Sequence, residues 1–305
     1  GAGGVVKRCG TALAGTGGAL GAGVGAAAGP DSPAWERIAN HPCYSESAHH
    51  YYARIHLPVA PRCNIQCNYC SRKFDCASES RPGVSSRILT PAQAVERVGQ
   101  VLARLPEVTV VGIAGPGDPL ANAEQTFETF RLVNERYPDL RLCLITNGLR
   151  LPGAVDRIVA AGVDHVTVTV NAIDPEVGAV IYRWVNLDHT TYQRAAGARL
   201  LIDRQLEGIT ALAARDVLVK VNCVMVPGVN DRHLVDVARE VKRRGAFLVN
   251  VMPLIPVAGT RFGDLAAPSW DALKQLQEQC EGEVRLMRHC RQCRADAIGL
   301  LGQDR

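Results

Sequence analysis

From about residue 55 onward, short runs of β-branched and aliphatic residues alternate with longer stretches whose apolar positions recur at helical spacing. The first run, 55–60, reads as a strand. Thr90-Pro91-Ala92-Gln93 then forms a capping box with Pro at the first helical position and opens a helix to about residue 105. Strands follow at 108–114, 140–145, 165–170, 217–225 and 247–252. Between them the spacing predicts helices over 123–137, 154–161, a stretch reaching 214, and 231–244, with a last amphipathic helix at 269–280.

Strands that alternate with helices at this length imply a parallel sheet with right-handed crossovers. The predicted fold class is α/β. About six βα units are too few for a closed eight-stranded barrel, so a partial (β/α)6 barrel is expected. Its chemistry would sit at the C-terminal strand ends, with N- and C-terminal extensions to the barrel. A doubly wound open sheet satisfies the same spacing. The apolar runs look continuous, as for strands covered on both faces. Residues 1–33 are rich in Gly and Ala and read as a flexible leader, 34–300 as the folded core and 301–305 as a tail.

Composition narrows the function. The 34 basic and 30 acidic residues balance to +4, and aromatics make up only 5%, so neither a nucleic-acid surface nor a base-stacking platform is expected. No run approaches the ~20 apolar residues of a membrane span, and the leader lacks signal-peptide features. The expected compartment is the cytoplasm, where thiols stay reduced and clustered cysteines mean metal or catalysis. The chain has 11 cysteines.

Three of them form Cys63-Asn-Ile-Gln-Cys67-Asn-Tyr-Cys70. Thiolates at this spacing can hold three irons of a [4Fe–4S] cube and leave the fourth open to a small molecule. Zinc and a disulfide are the alternatives; zinc would want a fourth donor, and disulfide frameworks belong to small secreted chains. The motif, in a loop after a strand, is the signature of the radical S-adenosylmethionine (SAM) enzymes, which this chain resembles. In that family a Gly-rich turn after the next strand meets the methionine ammonium. Gly115, Gly117 and Asp118 stand there, although Asp118 also suits a plain βα turn. Asn147 and Asn171 either bind ribose or carboxylate or cap helices and turns. Tyr69, Asn222 and Met252 complete the SAM-site candidates. Lys220, inside an apolar strand, either binds a carboxylate or snorkels from a sheet edge.

The other cysteines are more scattered. Cys290 and Cys293 form a C-x-x-C bite, Cys43 precedes the core, Cys76 follows the motif, and Cys143 is either core or ligand. Cys223 and Cys280 read as core, and Cys9 as incidental.

Longer stretches carry a closer resemblance: His41-Pro-Cys-Tyr-Ser, Ala48-His-His-Tyr-Tyr-Ala-Arg, the cysteine motif, Asp75-Cys-Ala-Ser-Glu-Ser-Arg-Pro-Gly, Gly115-Pro-Gly-Asp-Pro-Leu and Cys290-Arg-Gln-Cys-Arg-Ala-Asp-Ala-Ile-Gly. Spread over 35–299, they are similar to the NifB family of nitrogenase cofactor maturases, in the compact form without a NifX-like C-terminal domain. The resemblance implies a carbide synthase that fuses two [4Fe–4S] clusters around a SAM-derived carbon into an eight-iron precursor. Methyl transfer from one SAM would precede hydrogen abstraction by the radical made from a second. It implies three [4Fe–4S] clusters. Cys63, Cys67 and Cys70 would hold the SAM-cleaving one, and Cys43, Cys76, Cys290, Cys293 and Cys143 the two substrate clusters. His41, His49 or His50 would supply a nitrogen ligand, and Glu79 a carboxylate or proton handler. Implied partners are SAM, iron–sulfur donors, a ferredoxin or flavodoxin reductant, and NifX-like carrier and NifEN-like scaffold proteins. The rival readings are another radical SAM enzyme with auxiliary clusters acting on an organic or peptide substrate, and an electron carrier.

Overall fold

The computed structural model describes residues 33–77, 85 and 87–303. A short helix α1 (Pro33–Ile38) leads to strand β1 (Ala53–His56) and to β2 (Ile65–Cys67), which lies within the cysteine motif. The repeating units are α2 (Pro91–Leu102), β3 (Val108–Ile113), α3 (Ala123–Arg136), β4 (Arg141–Thr146), α4 (Val155–Ala160) and β5 (His165–Thr169). Next come α5 (Pro175–Ile181), the hairpin β6 (Tyr182–Leu187) and β7 (Thr190–Tyr192), and the long α6 (Arg194–Ala214). The chain closes with β8 (Leu218–Met225), α7 (Leu234–Arg243), β9 (Leu248–Pro253), α8 (Trp270–Glu281) and β10 (Ile298–Gly299). The capping box at Thr90 and Gln93 forms as expected.

The large sheet runs β10-β1-β3-β4-β5-β8-β9, and every pair is parallel except β1 with β10. Six parallel strands thus follow one another in chain order. A doubly wound sheet would reverse that order at a switch point. The curled sheet is the expected partial (β/α)6 barrel, and the antiparallel β10 closes its first edge.

Two readings of the sequence need correction. The stretch before residue 214 is not one helical region, because β6 and β7 turn back through Asp188 and His189. Both carry positive φ, 49° and 66°. A two-residue hairpin loop needs such angles, and an Asp-His pair lacks the usual Asn-Gly signal. The hairpin pairs with β2 (Cys67↔Tyr182, Ile65↔Val185), so it clamps the cysteine motif.

Nor are the parallel strands apolar on both faces. Outward positions such as Ile55, Val111, Leu144, Val166, Val221 and Val249 pack under the helices in the main core. The alternate positions carry Arg54, Cys143, His165, Lys220, Asn222 and Asn250, all buried. Strand geometry puts residues two apart on one face, so these polar groups share the barrel interior.

Candidate functional site

Two cavities occupy the barrel. The outer one, at the C-terminal strand ends, is lined by Cys63, Cys67, Cys70 and Cys76 with Gly117, Asp118, Asn147 and Ile145. Its floor is built by local bonding. Gly117 N donates to Ala60 O (2.6 Å) and Asp118 N to Arg62 O (2.8 Å), so the Gly-Pro-Gly-Asp turn is zipped to the entry of the cysteine motif. A Cβ on Gly117 would sit 2.2 Å from Arg62 O, and only glycine permits this approach. Gln66 Nε2 donates to the carbonyls of Cys67 (3.0 Å) and Cys70 (2.7 Å) and folds the motif over itself.

Asp118 is fully committed within the chain. Its Oδ1 accepts from the amides of Leu120 (2.9 Å) and Ala121 (3.1 Å), and its Oδ2 from Thr146 Oγ1 (2.9 Å) and Asn147 N (2.7 Å). These donors account for the lone pairs of a carboxylate. The side chain therefore shapes the rim, and the plain turn-and-cap reading of this residue describes it. Asn147 does face the cavity: Nδ2 donates to Asn64 Oδ1 (2.7 Å) and lies 3.7 Å from Cys63 Sγ. Asn171 and Tyr69 are fully buried; Asn171 Nδ2 donates to Tyr69 Oη (2.8 Å) and Oδ1 accepts from Val224 N (2.8 Å). They tie the end of β5 to the motif.

The inner cavity brings together residues distant in sequence: Cys43, Cys143, Cys290, Cys293, His41, Arg54, Lys220, Asn222, Asn250 and Met252. Asn222 and Met252 line this chamber, and Met252 also packs in the hydrophobic cluster that holds Cys67 and Tyr69 of the motif. Cys76 lines the outer cavity with the motif cysteines. Lys220 lies on β8 between β5 and β9, so it is no edge residue, and the snorkelling reading fails. His41 accepts at Nδ1 from Cys43 N (3.2 Å), while its buried Nε2 has no hydrogen-bond partner. Burial, then the proximity of His165, Lys220 and Arg141, holds His41 well below the usual imidazole range. It is neutral at pH 7 with its proton on Nε2, so the ring offers a lone pair to a metal only by giving up the Cys43 contact at Nδ1. His49 stacks between His50 and His289 outside both linings (centroids 3.9 and 4.8 Å). Glu79 and Cys9 lie outside the described residues.

The motif cysteines have the spacing for one iron–sulfur cube. Burial, then the nearby Asp118, pushes the Cys63 thiol up to about 11, and burial raises Cys70 and Cys290 as well. Neutral thiols in such places become thiolates by exchanging a proton for metal. Among the described residues, no three His, Cys, Asp or Glu side chains converge on one ion position. A tetrahedral zinc needs that convergence, whereas a cube spreads its ligands over separate irons. The described cysteines are all free, so the disulfide alternative also finds no pair.

Residues 57–241 match the Radical SAM superfamily. The chain belongs to the radical SAM superfamily. Solved structures share the fold: SuiB from Streptococcus suis bound to its precursor peptide SuiA superposes over 84% of this chain and 52% of its own, with TM-score 0.56 and 12% identity. Methylornithine synthase PylB gives 0.55 at 13% identity over 83% of this chain and 68% of its own. Much nearer in sequence are FeMo cofactor biosynthesis proteins NifB. That of Bradyrhizobium diazoefficiens is 59% identical, with 89% of this chain and 55% of the relative covered. Those of Herbaspirillum seropedicae (56%; 98% and 58%) and Azotobacter vinelandii (55%; 88% and 54%) are similar. The likeness to NifB read from the cysteine-bearing segments therefore extends through nearly all of this radical SAM chain. The chain spans little more than half the length of these relatives. A radical SAM protein carries a SAM-binding [4Fe–4S] cluster, and three of the four outer cysteines have the spacing for it. No helix among the described residues is long and apolar enough to cross a membrane.

Reading the sequence missed Arg54, which enters the inner chamber fully buried. The signal was present: Arg54/His56, Lys220/Asn222 and Asn250/Met252 are polar or adaptable residues at period 2 inside aliphatic strands.

Proposed function

We propose that this chain catalyses the SAM-dependent fusion of two [4Fe–4S] clusters around a SAM-derived carbon, giving the eight-iron precursor of the nitrogenase iron–molybdenum cofactor. The observation that carries this reading is the inner chamber, a second cysteine-rich cavity that shares Ile145 with the chamber of the radical SAM motif. An enzyme acting on an organic substrate needs a pocket of hydrogen-bonding and apolar groups next to its cluster. Here the adjoining space adds four thiols and a neutral imidazole to such groups, a concentration of donors suited to iron.

In this reading Cys63, Cys67 and Cys70 hold the SAM-binding cluster, which together with SAM supplies the 5′-deoxyadenosyl radical. Asn147 orients SAM, and Asp118, Gly115 and Gly117 fix the turn that positions it. Cys43, Cys143, Cys290, Cys293 and His41 receive the cube substrates, so that each is gripped at some corners and left open at others. Cys76, which lines the outer cavity with the motif cysteines, serves as an exchangeable ligand, and Glu79, three residues further along the sequence, as proton acceptor. Iron–sulfur donors load the cubes, a low-potential ferredoxin or flavodoxin supplies electrons, and NifX-like and NifEN-like proteins receive the product. The names of the 53–59% identical relatives, FeMo cofactor biosynthesis protein, support this assignment.

Anaerobic reconstitution with iron counting tests it. About twelve irons per chain, as three cubes require, with one cluster perturbed by SAM, supports the reading. Four irons with SAM cleavage leave a radical SAM enzyme without auxiliary clusters and overturn it.

A further inference from the structure

The inner chamber has an unusual electrostatic lining. Arg54 (0% exposed) and Lys220 (7%) both reach it from barrel strands, and among the described residues lining it none is Asp or Glu. Thiols and cations on a dry wall favour an anionic guest. The arginine is also held in place. Its Nη1 donates to the carbonyls of Gly299 (2.5 Å) and Leu300 (3.1 Å) at the β10 edge, and its Nη2 donates to Cys293 Sγ at 2.9 Å. A guanidinium is planar and keeps its charge at all working pH values. Two anchored donors on Nη1 therefore fix where Nη2 points, which is at the sulfur.

We propose that Arg54 is a positioning residue of the inner chamber, holding Cys293 as a hydrogen-bonded thiolate against an iron–sulfur cargo and, with Lys220, retaining that cargo by its charge. This rests on the cluster-fusing reading of the site. A guanidinium hydrogen bond withdraws electron density from the thiolate, which raises the potential of the attached cluster.

The test uses the full chain, reconstituted, as wild type, Arg54→Met, Arg54→Lys and Lys220→Met. Three readouts apply: the potential and EPR signature of the auxiliary iron, its loss rate to an iron chelator, and the SAM-perturbed signal of the outer cluster as a fold reference. Arg54→Met is expected to move the auxiliary potential negative and speed iron loss by about 10-fold, the usual scale for an outer-shell partner, with the outer signal intact. Arg54→Lys restores part of the retention but not the potential, since an ammonium cannot reproduce the fork. Lys220→Met speeds loss without the potential shift of Arg54→Met. Unchanged auxiliary potential and loss rate in Arg54→Met overturn the proposal. If Arg54→Met loses the outer signal as well, Arg54→Lys decides, and a wild-type potential there overturns it. A wild-type chain with only four irons sinks the underlying reading instead, so the two failures are distinct.

Discussion

The outer and inner chambers are built by opposite strategies. The outer one is local: three cysteines lie within eight residues, and its rim comes from the turns that follow β3 and β4. The inner one draws on residues from His41 to Leu301 and on the inward positions of six barrel strands. A local motif binds its group with little help from the rest of the fold. A chamber assembled from distant segments exists only once the barrel has closed, and so couples its ligand set to tertiary structure.

Cysteine substitutions separate the two chambers most sharply. Cys63→Ala should abolish 5′-deoxyadenosine release while the auxiliary iron persists, measured by chromatography of the reaction mixture beside iron counting. Cys290→Ala should do the reverse, keeping SAM cleavage and losing most of the eight-iron product. If Cys290→Ala makes product at the wild-type level, the inner chamber is not the cargo site. A smaller effect is expected from Gly117→Ala, because the new methyl meets backbone at Arg62 and the turn must move. About 1–3 kcal/mol of stability should be lost, seen in urea unfolding of the apo protein. SAM affinity should fall with it, and the auxiliary iron should change little.

The smallest effect concerns the wall behind His41. Burial of Asp164 favours its neutral form, but the His165 hydrogen bond (2.7 Å) and the charges of Arg141 and Arg37 outweigh it and hold the carboxyl below its usual range. A depressed carboxyl contributes stability above its unfolded pKa of about 4 and loses it as pH falls through the folded value. Asp164→Asn should therefore flatten the stability curve below about pH 4 and leave the neutral range nearly parallel to wild type. An unchanged acid limb would show that the ion pair is fully screened.

Much of this architecture is legible in the sequence, because strand and helix periods differ and the cysteine spacing is dense. The six parallel strands and the capped α2 follow directly from those signals. The β6–β7 hairpin does not, since Asp188 and His189 reach left-handed angles without a glycine. Among the SAM candidates, Asn147 lines the outer cavity, yet like Asn171 and Asp118 it bonds its side-chain polar atoms to the chain itself. Spacing alone cannot tell an end-of-strand ligand from an end-of-strand brace; both use short polar side chains. The separation of Cys76 from Cys43, Cys290 and Cys293 is likewise a tertiary fact, as is the meeting of Arg54 with Cys293 across the β1 and β10 edge.

The single carboxylate of Asp118 holds the amides of Leu120 and Ala121 after β3 and the amide of Asn147 after β4. Loops that share one acceptor cannot open separately. Those three amide protons should exchange with solvent at a common rate, set by one cooperative opening. The rim of the radical chamber then behaves mechanically as a single piece, and breathing at either turn is felt at both.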